Sequence, residues 1–155
     1  MTNKVLIVIS GRLSPSMKLT RAGEYAVRIV LSLAQADPNT WVKRQQIAED
    51  MDIPYPFLGK IGPQLAAAGL IEIAQGPKGG YRLARAAEHI SLLDVVEAVE
   101  GPIALNQCLV HANVCGRSPV CAVHQVWLKA RQDMRNTLAS ANFADLAAAN
   151  GLRNC

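Results

Sequence analysis

The sequence predicts a mainly α-helical protein with one small β-hairpin and a long helix near its C-terminus. Three observations lead there. Apolar residues recur at helical spacing through most of the chain. One stretch, Leu70 to Leu83, reads as two short strands around a glycine-rich loop. From about Val123, an apolar residue returns every three or four positions as far as Ala141.

The elements follow in order. Residues 1–16 stand apart: Lys4–Ser10 suits a short strand and Gly11–Ser16 a loop, whereas Met17 opens a segment of different character. Residues 1–16 are therefore read as an N-terminal extension, with Met17 as the natural start. A first helix is expected over Arg21–Gln35. Thr20 is its N-cap, because a hydroxyl there accepts from the free N–H groups of the first turn, and Ala22, Tyr25, Ala26, Ile29, Val30 and Leu33 form its buried stripe. Asp37-Pro38-Asn39 breaks the chain. A second helix covers Arg44–Met51, with Ile47, Ala48 and Met51 inward. Asp52-Ile53 turns, and a third helix runs from Pro54 or Tyr55 towards Ala68, ended by Gly69. Gly62 and Pro63 lie inside it. An interior proline removes a backbone bond and clashes one turn back, so a kink or break is expected there.

The strands Leu70–Ala74 and Tyr81–Leu83 flank the loop 75–80. Ser91 caps a further helix to Glu100, with Asp94 placed for a capping box, and Gly101-Pro102 stops it. An irregular segment, 102–122, precedes the long helix, whose seam is Val123, Trp127, Ala130, Met134, Leu138 and Ala141. The chain thus divides into residues 17–101, a segment 102–122, a helical region 123–149 and a tail 150–155.

Helix, turn, helix and a basic-tipped hairpin is the order of a winged helix-turn-helix. A helix fits the DNA major groove, where base edges carry a unique donor and acceptor pattern. Tyr55, Pro56, Phe57, Lys60 and Gln64 on the third helix are the candidate base readers. Lys78, Gly79 and Arg82 belong to the wing, and Lys18, Arg21, Lys43 and Arg44 suit phosphates. A net charge of +4 over 155 residues agrees with a nucleic-acid partner without demanding one. No apolar run approaches membrane-spanning length, so a cytoplasmic protein is expected. With no CxxC, no nucleophile-and-base arrangement and no glycine-rich cofactor loop, the chain is not read as an enzyme.

Of the four cysteines, Cys108, Cys115 and Cys121 lie together and Cys155 is the last residue. In a reducing compartment such a trio points to a metal or cluster more than to disulfides. The spacing is wider than a zinc finger's tight pairs. A loop built from Asn113, Gly116, Ser118 and Pro119 lets three thiolates wrap one inorganic object, and iron–sulfur clusters admit a non-cysteine fourth ligand. Zinc, a redox disulfide and unliganded thiols are the alternatives. Cys155 reads as a free tail thiol, and Trp127 as a packing residue.

Several stretches carry a resemblance. These are Met17–Arg28, Gln46–Glu49, Leu65–Ile71, Gly76–Arg85, Ile90–Gly101 and the cysteine trio, in that order. From Met17 to about Asn150 the chain resembles the Rrf-type family of bacterial regulators, with IscR-, NsrR- and RirA-like members. The resemblance implies a homodimeric transcription regulator, often a repressor, on near-palindromic operators. IscR-like members place a histidine where His124 stands, with a 2Fe-2S cluster. NsrR-like members place a carboxylate where Glu24 stands, reaching a 4Fe-4S cluster in the partner subunit. A carboxylate or histidine ligand bonds iron less firmly than thiolate, so such a cluster is expected to answer to nitric oxide, redox state or iron supply. The reading puts 4Fe-4S ahead of 2Fe-2S. His111 is a weaker candidate and His89 an exposed residue.

Overall fold

The computed structural model describes residues 19–111 and 114–152. The extension over 1–16, Lys18, Asn113 and Cys155 fall outside it. Helix α1 spans Arg21–Gln35, as expected, and Thr20 caps it: its hydroxyl accepts from the Gly23 N–H at 3.2 Å. Its stripe is buried except at Ala22, which is only partly covered, and Ala26, Ile29 and Val30 are fully buried. Burying such side chains contributes about 1.5–3 kcal/mol each, which makes α1 the spine of the molecule. Helix α2 (Arg44–Asp50) and helix α3 (Tyr55–Ala67) follow, joined by a turn in which Asp52 takes a positive φ of 50°.

Helix α3 runs through Pro63 without a break. Gly62 and Tyr81 explain how this part of the helix is seated. The buried Tyr81 lies against Gly62, where any Cβ would overlap its ring and hydroxyl. That hydroxyl donates to the Leu58 carbonyl at 2.7 Å. Gly62 is thus the point of close approach between α3 and the hairpin, while Pro63 lies on the exposed side.

Strands β1 (Ile71–Ala74) and β2 (Gly80–Leu83) pair antiparallel, Ile71 opposite Leu83 and Ala74 opposite Gly80. Val42, just before α2, adds an isolated bridge to Tyr81. Helix α4 (Leu92–Glu100) has the expected capping box: Asp94 N–H donates to Ser91 Oγ at 3.1 Å, and Ser91 N–H to Asp94 Oδ2 at 2.9 Å.

Helix α5 (Ala122–Ser140) is the expected long helix, but it ends where the sequence reading continues. The chain turns at Asn142, and helix α6 (Phe143–Leu152) folds back onto α1. Asn142 sets this start: its side-chain oxygen accepts from Asp145 N–H at 2.9 Å, and its amide donates to the Asp145 carboxylate at 2.7 Å. Phe143 is fully buried in the core built around α1. The expected tail therefore begins as helix, and residues past 140 belong with the first compact unit rather than with α5. Among the described residues, no helix is long and apolar enough to cross a membrane.

Candidate nucleic-acid interface and cysteine segment

Helix α3 buries Leu58, Ile61, Gly62 and Leu65, which turns its opposite side outward. Tyr55, Pro56, Gly59, Lys60, Pro63 and Gln64 are all exposed there, at the spacing of one helix face. Phe57 is the exception among the candidate readers. It is half-buried, edge-to-face with Tyr25 at 5.0 Å between centroids, so it seats α3 on α1. The Lys60 ammonium lies 5.8 Å from the Phe57 ring, and the Gln64 amide donates to the Lys60 carbonyl at 3.1 Å.

The basic residues divide in the same way. Arg21, Lys43 and Lys78 are exposed, while Arg44 and Arg82 are half-buried. Lys43 donates to the Pro77 carbonyl and so ties the hairpin tip to the start of α2. Arg44 lies 5.6 Å from the Tyr55 ring. Burial pushes the Tyr81 phenol above its ordinary pKa, and the charge and hydrogen bonding of Arg44 pull it the other way. Arg82 stacks over Trp41 at 4.3 Å and pairs with Glu72 at 2.6 Å; its charge stiffens the wing. Gly79 is buried, because a Cβ would overlap the Ala74 backbone. Lys78 is left as the projecting charge of the tip. Sequence reasoning missed Trp41, because the cation that stacks on it, Arg82, is distant in the chain and only the fold brings the two together.

The cysteine segment contains two short 3-10 turns, Gln107–Leu109 and Ser118–Val120. Cys108 sits in the first, and Cys121 follows the second as N-cap of α5. Both are half-buried, whereas Cys115 is exposed. Cys108, Ser118 and His124 line one open hollow of about 430 Å³. Among the described residues, Ser118 Oγ in the segment and His124 Nδ1 in the first turn of α5 are buried without a hydrogen-bond partner. A buried imidazole nitrogen without a hydrogen bond is costly unless it meets a ligand or a metal. The thiolate-and-imidazole donor set suits an iron–sulfur cluster. Among the described residues, no three His, Cys, Asp or Glu side chains are gathered around one point. Glu24 stands elsewhere, half-exposed in a second hollow beside Leu19, Thr20 and Arg21. His111 and His89 are exposed.

Arginines of α5 hold the segment. Arg131 donates to the Leu109 carbonyl at 2.8 Å, and Arg135 pairs with Glu97 of α4, whose carboxylate also accepts from Ile103 N–H at 3.0 Å. Trp127 is half-buried, with its indole N–H 2.8 Å from the Asn106 amide oxygen in the orientation that satisfies both groups.

A family model described as "Iron-dependent Transcriptional regulator", and named Rrf2, matches residues 19–149. The chain is 42% identical over 86 residues to the HTH-type transcriptional regulator IscR of Cereibacter sphaeroides, covering 54% of this chain and 56% of that one. It is 34% identical over 131 residues to the HTH-type transcriptional regulator NsrR of Halalkalibacterium halodurans, covering 84% and 90%. Among solved structures it is similar to T. potens IscR, with a TM-score of 0.69, 26% identity and coverage of 87% and 89%.

Proposed function

Since the chain belongs to the Rrf2 family of transcriptional regulators, we propose that it is a homodimeric, cytoplasmic repressor whose affinity for a near-palindromic operator follows the state of an iron–sulfur cluster. Its family and relatives are regulators, not enzymes. The observation that carries the DNA reading is the outward face of α3, where Tyr55, Pro56, Lys60 and Gln64 stand exposed. Lys60 suits a guanine edge and Gln64 an adenine edge. Arg21, Lys43 and Lys78 serve as phosphate contacts, which position the protein without reading sequence.

Cys108, Cys115 and Cys121 are the cysteine ligands. A cluster supplies a change of bonding and charge that answers to oxygen, nitric oxide or iron supply. His124 and Glu24 compete for the fourth position. The partnerless Nδ1 beside Cys108 supports His124. The half-exposed placement at the start of α1 leaves Glu24 open to the segment of a second subunit. The second subunit is supported by α5, which buries none of its residues and exposes Val123, Val126 and Met134. Regulation requires that the two cluster states differ in operator affinity, and that difference is the whole of the control available.

Anaerobic purification with absorption spectroscopy and iron and sulfide analysis tests the cluster. Equimolar iron and sulfide, with visible absorption, is expected. Zinc without sulfide overturns the cluster in favour of a zinc site, and neither metal favours thiol chemistry alone. Glu24→Ala and His124→Ala are then compared. The true fourth ligand is the one whose loss changes the spectrum or the cluster's lifetime in air, and if neither does, both assignments fall.

A further inference from the structure

The last turn of α4 faces two ways. Glu97 accepts from Ile103 N–H and pairs with Arg135, so it anchors the first residues of the cysteine segment. One turn on, Glu100 reaches back to the start of the molecule. Its Oε1 accepts from Thr20 N–H at 3.1 Å and from the Thr20 hydroxyl at 2.5 Å. The same hydroxyl accepts from Gly23 N–H and closes the cap of α1. Gly23 is buried against the Glu100 carboxylate, and a Cβ there would overlap it. Residue 23 is therefore small because the carboxylate needs the room. Glu100 is the final residue of α4, and the chain turns at Gly101 (φ 80°) directly into the cysteine segment.

On its other side, α1 carries Tyr25, edge-to-face with Phe57, and Phe57 lies beside Lys60 on the outward face of α3. A continuous set of contacts thus runs from the base of the cysteine segment, through Glu100 and Thr20, along α1 to the reading helix. Glu24, one of the two candidates for the fourth ligand, follows Gly23 directly. We propose that Glu100 is a positioning residue that carries the state of the cysteine segment to α1, and through α1 to α3. This rests on the regulatory reading above and adds a route to it. Coupling of this kind is carried by an element with two arrangements that both ends bias. Here that element is the first turn of α1, held or released by one carboxylate.

The test needs no cluster at its core. In cluster-free protein, amide exchange across Thr20–Ala26 is measured before and after the cysteines are alkylated with iodoacetamide. In the wild type, alkylation is expected to speed exchange several-fold across these residues. In Glu100→Ala, exchange starts fast and no longer responds. Glu100→Gln, which keeps the accepting oxygen, restores the wild-type response. Thr20→Val, which removes the hydroxyl and keeps the branched shape, behaves like Glu100→Ala. A wild-type α1 turn indifferent to alkylation, or a Glu100→Ala turn that still responds, overturns the proposal.

Operator affinity is compared in parallel for cluster-loaded and chelator-stripped protein. The two states of the wild type are expected to differ by about 5–150-fold, the usual range of allosteric coupling. In Glu100→Ala they converge to within about two-fold. Convergence only in the variant supports Glu100 as the link, whereas an unchanged ratio in a folded variant refutes it. A wild type that takes up no cluster overturns the cluster reading alone, because the alkylation experiment still decides the role of Glu100.

Discussion

Gly62 and Tyr81 show how one side chain fixes the seat of α3. A Gly62→Ala substitution forces a methyl group into the Tyr81 ring, and overpacking of this kind costs about 1–3 kcal/mol. Tyr81→Phe leaves the Leu58 carbonyl without the hydroxyl that donates to it, at a cost of about 1–3 kcal/mol. In urea unfolding the two changes should be less than additive, because the phenylalanine gives the new methyl more room. Strict additivity would show that the close approach is relieved elsewhere. Tyr81 also carries a pH signature. Its folded pKa is raised by burial, so the stability it contributes is complete below the unfolded value of 10 and is lost as pH rises through the folded one. Chemical denaturation between pH 9 and 11 should show this decline in the wild type and a shallower one in Tyr81→Phe. At this scale the sequence is legible where the cause is local. Thr20, Ser91 and Asp94 announce their caps because the groups they satisfy lie within three residues. Tyr81 is legible only as a strand residue, since its partner on α3 is distant in sequence. Arg82 and Gly79 read as wing residues from composition, but Trp41, Glu72 and the Ala74 backbone decide what they touch.

Helix α5 is amphipathic in a double sense. The expected seam is turned edge-on: Trp127, Ala130 and Leu138 are half-buried, while Val123 and Met134 face outward together with Val126, which lies outside the seam. If a second copy covers the outward edge, Val126→Asp should weaken self-association at least ten-fold in sedimentation while shifting thermal stability little, since surface substitutions stay within about 0.5 kcal/mol. Unchanged association would remove α5 from the dimer contact. Helix α6 makes the opposite case. Phe143→Ala should lower stability by about 3–5 kcal/mol in urea unfolding, as a buried aromatic does, and weaken DNA binding through loss of fold. A mild effect would show that α6 is an accessory to the core. The sequence hides α6 because alanine-rich residues on both sides of the break favour helix alike. Only Asn142 and Asp145 mark the new start, and what turns Phe143 inward is its meeting with α1, a contact between the two ends of the described chain.

At the scale of the molecule, the order of the helices, the hairpin between them, the irregular cysteine segment and the long helix are visible in the sequence, because each announces itself by periodicity or composition. The meeting of Cys108 and His124 at one hollow is not, since it depends on how the 3-10 turns Gln107–Leu109 and Ser118–Val120 lie beside the start of α5. Electrostatics gives the prediction that belongs here. Operator affinity should fall linearly on a log–log plot against salt, and Lys78→Ala should flatten the slope by about one while weakening all sequences alike. Gln64→Ala should instead cost about 1–3 kcal/mol at one base pair and leave the slope unchanged. A Lys78 variant with an unaltered slope would place the wing away from the phosphates. The return of α6 onto α1 bears, finally, on how the protein is made. A ribosome releases the N-terminal part first, yet α1 lacks its full cover until residues 143–152 have emerged. The core around α1 is therefore completed only after the cysteine segment has been synthesised, so a nascent chain halted before α6 already carries its thiols while one side of α1 still lacks its cover.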